Sequence, residues 1–386
     1  MSRNRWSLVA AYAALSGSNQ LLWLTFAPLT TEAARHYGVS TEAIGWLSEI
    51  FPLLYVVLAI PAGLALDRWL RPALGVGIAL NGLGALIRIE GSYPGVLVGQ
   101  LLIAAAQPLI LAAVTKVVDQ AVDPPARPRA IGVASAGLFA GMLVALAMGP
   151  IFGEAHLDAL VLTQGVIGAT ASVALAAALI RPGWRTAGER RPEAPIRSVL
   201  GQPSLRLLII IAACGFGVFV AMTTWLQALL APAGVSTNAA GLMLLIFVAA
   251  GIIGGATLPA PLISRNLGGQ ALTTAAVITV ISCLLLAVAP GAVTGLVASA
   301  LIGLVLLTAL PVILTMVEQR AGDAGGTATG LVWLAGNAGG IVVALAVQSA
   351  LDRPSVGFVI MAAVMALGLP VARRLVRSEK ATTAIR

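Results

Sequence analysis

Charged residues are scarce in this chain of 386 residues, at 10% of the sequence. Soluble globular domains carry about a quarter of their residues as charged side chains. Hydrophobic residues make up 59% of the chain, and the mean hydropathy is +0.97. Because one water-soluble core cannot bury that much apolar surface, this composition excludes a soluble globular protein and predicts an all-α integral membrane protein.

Cysteine and histidine are also scarce, with two residues of each. Cys214 and Cys283 fall inside apolar runs, and His36 and His156 fall in predicted loops, so we predict no disulfide framework and no metal site. No group inside the apolar runs resembles a nucleophile with its base. We therefore expect neither enzymatic activity nor a cofactor.

The apolar residues form twelve segments, each long enough to cross a bilayer as a helix. Their approximate bounds are 7–30, 44–66, 73–89, 95–118, 130–152, 157–180, 205–230, 238–262, 270–289, 292–316, 325–350 and 355–376. One polar, basic and proline-rich connection divides them into two sets of six. The predicted organisation is an N-terminal six-helix bundle (1–180), a cytoplasmic central loop (181–204), a C-terminal six-helix bundle (205–376) and a cytoplasmic tail (377–386).

Basic residues are distributed unevenly between the two ends of these segments. If the N-terminus is cytoplasmic, the inner ends carry Arg3, Arg5, Arg68, Arg71, Arg127, Arg129, Arg265, Arg320, Arg373, Arg374, Arg377 and Lys380. The outer ends carry only Arg35, Arg88 and Arg353. This asymmetry follows the positive-inside rule, so the net charge of +8 indicates topology rather than nucleic-acid binding. We expect a multi-pass protein of the plasma (inner) membrane with both termini in the cytoplasm.

An internal repeat links the fifth and eleventh segments. AGLFAGMLVALAM at 136–148 and AGNAGGIVVALAV at 335–347 share Ala, Gly, Gly, Val, Ala, Leu and Ala in the same register. Segment n therefore matches segment n+6. Together with the central loop, this pattern favours a duplicated six-helix unit, and two such halves in the same orientation are the architecture of major facilitator transporters.

The loop between segments two and three carries a second signature. GLALDRWLR, from Gly63 to Arg71, resembles the cytoplasmic G-x-x-x-D-R-x-x-[RK] motif of the major facilitator superfamily, with Leu70 in place of the usual glycine. The resemblance implies twelve transmembrane helices in two pseudo-symmetric halves that operate by alternating access. It also implies that Asp67, Arg68 and Arg71, together with Gly63, form a cytoplasmic gating motif.

Polar and aromatic residues occur near the middle of segments one, four, seven and eleven. An amide in hydrocarbon is costly unless it is hydrogen-bonded. The resemblance implies that these four helices line a central cavity. We therefore expect the substrate to bind Asn19, Trp23, Gln107, Thr223, Gln227, Trp333 and Asn337. The alternative for each residue taken alone is hydrogen bonding between helices.

A narrower resemblance covers the first third of the chain. SNQLLWLTF, IGWLSEIFPLLYVVLAIPAGLALD and AAAQPLIL resemble the feline leukaemia virus subgroup C receptor family, which is associated with choline, ethanolamine and haem. In that family a tryptophan of segment one packs against a quaternary ammonium and a glutamine of segment four assists; Trp23 and Gln107 occupy those positions. The family's tyrosine in segment seven corresponds to Val220, and its glutamine in segment eleven to Asn337. The resemblance implies a monomeric uniporter for a choline-like substrate.

One acidic residue, Glu49, lies inside a predicted span, where an ionisable group is a functional candidate by default. The alternative is that Glu49 pairs with Arg88. The stretch GPIFG, Gly149 to Gly153, resembles the glycine-proline motif of drug/proton antiporters. A proton-coupled drug or metabolite antiporter that uses Glu49 is therefore the alternative function. A membrane receptor without transport activity is disfavoured, because nothing outside the spans is large enough for a signalling domain.

Overall fold

The computed structural model describes residues 5–123, 126–152, 154–180, 196–321 and 324–383. The regular structure in these ranges is helical throughout, which confirms the predicted all-α class. The chain divides into two compact units, Met1–Glu189 and Arg190–Arg386.

The N-terminal unit is built from a series of helices, two of which begin at a serine N-cap. The helices are α1 (Trp6–Trp23), α2 (Thr30–Tyr37), α3 (Thr41–Arg68), α4 (Leu70–Ile87), α5 (Tyr93–Leu111), α6 (Val114–Ala121), α7 (Arg127–Phe152) and α8 (Leu157–Ile180). The Ser40 hydroxyl accepts from the Ala43 amide at 3.2 Å, and the Ser92 hydroxyl accepts from the Gly95 amide at 3.1 Å. Serine at these N-caps satisfies amides that have no partner within the helix.

The C-terminal unit has the same all-helical construction. Its helices are α9 (Ile196–Leu200), α10 (Pro203–Leu230), α11 (Thr237–Thr257), α12 (Pro259–Ser264), α13 (Gly268–Val288), α14 (Ala292–Ala321), α15 (Gly325–Gln348) and α16 (Pro354–Thr383). Ser236 caps α11 by accepting from the Ala239 amide at 3.3 Å. Apolar side chains that include Leu208, Val312 and Leu375 form a buried core cluster.

The two units repeat the same helix pairing. In the N-terminal unit α1 packs on α7, α3 on α5 and α4 on α8. In the C-terminal unit α10 packs on α15, α11 on α14 and α13 on α16. Counted as membrane segments, these are pairs 1–5, 2–4 and 3–6, followed by 7–11, 8–10 and 9–12. The offset of six that the sequence repeat predicts is therefore present in the helix packing of the two units.

Glycines of the repeated sequence stretch make the first of these pairs close. A Cβ on Gly137 would lie 2.6 Å from the carbonyl oxygen of Ala13, and a Cβ on Gly141 would overlap the carbonyl of Gly17. In the second copy, a Cβ on Gly340 would lie 2.9 Å from Cγ2 of Val220. Small residues let membrane helices approach at backbone distance, so the repeat encodes a helix contact in both units.

Each of the twelve predicted segments contains one helix of 18 residues or more among the described residues. Ten described helices are long and apolar enough to span a membrane, and the stretch Ala136–Gly149 of α7 is a shorter apolar helix. Each predicted segment thus holds a long helix, in keeping with the predicted count of twelve.

The first segment departs from its prediction, because its helix ends at Trp23 instead of continuing to residue 30. The chain then forms a turn and a short 3-10 helix, Ala27–Leu29, before α2. Pro28 explains the interruption: it has no N–H for the carbonyl four residues earlier, and its ring disfavours helical geometry at Ala27.

Three other boundaries also differ from prediction. The fourth segment is divided at Ala112–Ala113 between α5 and α6, and the eighth ends at Thr257, after which Pro259 starts the short helix α12. Proline suits the first turn of a helix, so Pro259 favours a new start there. The predicted tail begins at residue 377, but α16 continues to Thr383.

Candidate functional site

Trp23 lies at the C-terminal end of α1 with its indole held in one orientation. Its Nε1 donates to the carbonyl oxygen of Ser48 on α3 at 3.0 Å. Its ring stacks on Phe51, with centroids 5.9 Å apart and an interplanar angle of 27°. The residue is 5% exposed. Because the indole N–H is already used, a ligand that reaches Trp23 has the ring face, not the N–H, to contact.

Asn19 lies within a chain of buried amides and hydroxyls that joins several helices of the N-terminal unit. Its Nδ2 donates to Oδ1 of Asn81 on α4 and to the carbonyl oxygen of Ile103 on α5, both at 3.1 Å. Asn81 in turn donates to the hydroxyl of Ser172 on α8 at 3.2 Å. Asn19 and Asn81 are both fully buried. Such bonds between helices are the alternative to substrate contact, and contact of Asn19 with a substrate stays a prediction.

Gln107 and Glu49 are buried on neighbouring helices of the same unit. Gln107 lies on α5, one turn beyond Ile103, and is 3% exposed. Glu49 is fully buried on α3 and follows Ser48, whose carbonyl accepts the Trp23 indole. Glu49, the predicted coupling residue, thus lies next in sequence to Ser48, whose carbonyl oxygen bonds the indole of Trp23. Pairing of Glu49 with Arg88 stays a prediction.

In the C-terminal unit the predicted residues gather around a pair of aromatic rings. Phe216 on α10 and Trp333 on α15 are half-buried, and their rings meet edge to face with centroids 6.2 Å apart. Phe216 also lies 5.4 Å from Phe219, which stacks on Phe247 of α11 at 5.7 Å. Asn337 donates from Nδ2 to the Trp333 carbonyl at 2.9 Å, and its amide oxygen remains an acceptor.

The other predicted residues of α10 face the interior of their own unit. The Thr223 hydroxyl donates to the carbonyls of Phe219 and Val220, both at 3.0 Å, and Gln227 is 2% exposed. Trp225, between them, donates from its indole to the Ala344 carbonyl on α15 at 3.0 Å. Trp225 is not among the site residues predicted from the sequence. In the structure its indole hydrogen bond joins α10 to α15.

The predicted gating motif spans the end of α3 and the start of α4. Arg71 donates from Nη2 to the carbonyl of Leu179, in the last turn of α8, where a cation is favoured by the helix dipole. Arg68 is exposed, and its guanidinium lies over the neighbouring Trp69 ring at 4.8 Å. Gly63 lies within α3 with open space at its Cβ position. The side chain of Asp67 lies outside the described part, so its pairing stays a prediction.

Comparison with known proteins identifies the family of the chain. Residues 8–344 match the Major Facilitator Superfamily. The chain belongs to this superfamily.

Two curated relatives narrow the similarity within the superfamily. Solute carrier family 49 member A3 of Xenopus tropicalis is 30% identical over 280 residues, which cover 65% of this chain and 57% of that protein. The choline/ethanolamine transporter FLVCR2 of Homo sapiens is 34% identical over 116 residues, which cover 29% of this chain and 22% of that protein. The chain thus spans little more than half the length of the curated relatives that it matches. The predicted resemblance to the feline leukaemia virus receptor family is confirmed.

A solved structure shows the same fold. The crystal structure of a mutant of the nucleoside transporter NupG matches with a TM-score of 0.74 and covers 95% of this chain and 99% of that one. The two sequences are only 14% identical, so the match shows similarity of fold alone. As a major facilitator superfamily member with many long apolar helices, the chain is a multi-pass membrane protein.

Several buried polar residues of this chain were absent from the predicted site. They are Asn81, Arg88, Gln100, Gln164 and Ser172, each 4% exposed or less. Each is an isolated polar residue within an apolar segment, which is the same signal that singled out Asn19 and Gln107. Among the described residues, no three His, Cys, Asp or Glu side chains are grouped as a metal site requires.

Proposed function

We propose that this transporter carries a small amine of the choline or ethanolamine class across the plasma membrane by alternating access. Human FLVCR2, which this chain resembles over 116 residues, is a choline/ethanolamine transporter. In the N-terminal unit the proposed ligand contacts are Trp23 and Gln107. In the C-terminal unit they are the aromatic pair Phe216–Trp333 and the amide of Asn337.

The orientation of Trp23 is the observation that carries this proposal. An indole whose N–H is bonded to a backbone carbonyl offers a ligand only its π surface. A cation over a tryptophan face gains about 2 kcal/mol or more when it is desolvated. The quaternary ammonium of choline has no N–H donor, so an aromatic face suits it better than a hydrogen-bond acceptor does. Gln107 offers an amide that can bond a hydroxyl on the same ligand.

The C-terminal unit supplies a second aromatic surface. Phe216 and Trp333 are half-buried, and the side chain of Asn337 is fixed to the Trp333 backbone at 2.9 Å. We propose that the second ring pair contributes to recognition of the ammonium. Thr223, Gln227 and Asn19 are proposed as supporting residues rather than as the principal contacts, because each is 2% exposed or less.

A second mechanism is supported by Glu49. A carboxyl group buried one residue from the carbonyl that holds Trp23 is a candidate for proton coupling, because intramembrane acids commonly serve as proton relays. This observation supports a proton-coupled antiporter as the alternative to a uniporter. Dependence of transport on the pH gradient separates the two mechanisms.

The substrate class is tested with purified transporter and with proteoliposomes. We expect choline or ethanolamine to raise the melting temperature of the wild-type protein and to be taken up into vesicles. Trp23→Ala should lose both effects. Betaine, which keeps the quaternary ammonium but carries a carboxylate, and haem are compared in the same assay. If none of the amines shifts the melting temperature or is transported, the proposed substrate class is wrong.

A further inference from the structure

The carbonyl oxygen of Leu22, one residue before Trp23, lies within hydrogen-bond distance of three side chains. Nη1 of Arg88 donates to it at 3.2 Å and Nε2 of Gln100 at 3.4 Å; the Thr25 hydroxyl is 2.9 Å away, and its single proton also has the Gln164 amide oxygen as an acceptor at 2.5 Å. This carbonyl lies in the last turn of α1, where backbone carbonyls have no N–H partner within the helix. Side chains from α4 and α5 therefore satisfy the backbone at the point where the first membrane helix is interrupted.

Several contacts hold the charged side chain of Arg88 in this position. It is fully buried, and its Nη2 donates to the Thr25 hydroxyl at 2.8 Å. Its guanidinium carbon lies 5.5 Å from the centre of the Phe26 ring. Gly99 on α5 makes room for its stem, because a Cβ there would overlap Cγ of Arg88. One guanidinium thus contacts the last turn of α1 at Leu22 and two residues, Thr25 and Phe26, of the segment that links α1 to α2.

Gln100 extends the same arrangement to the helix that holds the indole. Its Nε2 donates to the Leu47 carbonyl at 3.1 Å as well as to the Leu22 carbonyl. The next residue of each pair, Trp23 and Ser48, forms the indole bond. Gln100 of α5 therefore bonds the backbone next to both Trp23 and Ser48, and Arg88, which directly follows α4, bonds it on the Trp23 side.

Burying a guanidinium among membrane helices costs free energy that its hydrogen bonds must offset. A helix end could be satisfied by neutral residues at lower cost, so the charge calls for a reason beyond capping. We propose that Arg88 is a positioning residue for Trp23: it fixes the interrupted end of the first membrane helix and thereby sets the position of the indole. Its effect on a ligand rests on the proposed function, whereas its effect on residues 22–29 does not.

The first test measures the backbone without any ligand. Hydrogen exchange of full-length transporter in detergent is followed by mass spectrometry for Arg88→Lys, Arg88→Met and the matched control Arg35→Met, which removes an exposed arginine of α2. We expect exchange at residues 22–29 to rise about tenfold in Arg88→Met and less in Arg88→Lys, since charged hydrogen bonds are lost wholly or in part. Exchange in α8 and in the Arg35→Met control should stay unchanged.

The second test asks whether Arg88 acts through Trp23. The dissociation constant of choline is measured for Arg88→Lys alone, Trp23→Phe alone and the double variant. We expect Arg88→Lys to weaken choline about tenfold in the wild-type background and less than about twofold in the Trp23→Phe background, because coupled residues are not additive. Equal losses in the two backgrounds would show a general packing role and overturn the proposal.

The outcomes separate this proposal from the proposed function. If wild-type protein binds no choline, the substrate class fails, and the exchange data alone decide the role of Arg88. If residues 22–29 exchange at the wild-type rate in Arg88→Met, the positioning role is refuted whatever the ligand. If Arg88→Met does not fold, the same exchange comparison is made with Arg88 intact. Thr25→Val then removes the hydroxyl, one of the two acceptors of the Arg88 guanidinium, and Thr25→Ser keeps it as the control.

Discussion

Nδ2 of Asn19 and Oδ1 of Asn81 lie 3.1 Å apart and join α1 to α4 inside the N-terminal unit. Both side chains are fully buried, and Ser172 extends the contact to α8. A polar residue at the middle of a membrane helix therefore need not face a substrate pathway. The same depth that suggests a binding residue also suits a hydrogen bond between helices, and only the contacts distinguish the two roles.

Asn81→Ala should lower the melting temperature and leave ligand affinity unchanged. The substitution removes the acceptor for Asn19 and leaves a buried amide donor with one partner fewer, at a cost of about 1–3 kcal/mol. Ser172→Ala is the matched control: it removes the last member of the same network, and its effect should be smaller. A choline dissociation constant that rises more than about tenfold in folded Asn81→Ala would place this network in the binding site instead.

Trp23 and Trp225 provide a matched pair for the aromatic prediction. Each is buried and donates its indole N–H to a backbone carbonyl at 3.0 Å. Trp→Phe removes the same kind of bond at both positions. We expect the two variants to lose similar stability, whereas only Trp23→Ala should abolish choline binding. Trp23→Phe should retain part of it, because the attraction follows the ring quadrupole. Normal transport by Trp23→Leu would make Trp23 a packing residue.

Sequence periodicity located every long helix of both units, because apolar length is a direct consequence of bilayer thickness. Periodicity did not predict the break after Trp23. The uncharged run from Leu8 to Thr30 has the length of one membrane span, although Pro28 interrupts the helix. The repeat at 136–148 and 335–347 predicted that segment n matches segment n+6, and the helix pairing repeats with that offset. Which partner Asn19 or Arg88 finds could not be predicted, because side-chain direction depends on the rotation of each helix against its neighbours.

Close packing of α1 on α7 makes a prediction about glycine. Gly141→Ala should destabilise the protein by about 1–3 kcal/mol, because its Cβ would overlap the Gly17 carbonyl and the helices must separate. Gly75→Ala on α4 is the control, since its Cβ would meet nothing within 4 Å and alanine favours the helix. Thermal unfolding of both variants measures the difference. Equal melting temperatures would show that the α1–α7 contact is not close in the membrane.

The proposed orientation predicts which surface residues a reagent can reach in intact cells. Ser355 and Ser264 are both exposed, and the arginine distribution places the first outside and the second in the cytoplasm. A membrane-impermeant maleimide should label Ser355→Cys but not Ser264→Cys until the cells are permeabilised. Wild-type protein, in which Cys283 is buried and Cys214 half-buried, gives the background. Labelling of Ser264→Cys in intact cells would reverse the topology.

The driving force separates the uniporter from the antiporter. A monovalent cation gains about 2.3 kcal/mol from an inside-negative potential of about 100 mV, which corresponds to roughly fifty-fold accumulation. If choline moves by uniport, uptake into proteoliposomes should collapse when a potassium ionophore clamps the potential at zero, and it should change little when only the pH gradient is removed. Glu49→Gln should then retain voltage-driven uptake, because no proton is exchanged at the buried carboxyl. Uptake that requires the pH gradient and is lost in Glu49→Gln would instead establish proton coupling. Glu49→Asp, which keeps a titratable group, should restore part of the activity only in that second case.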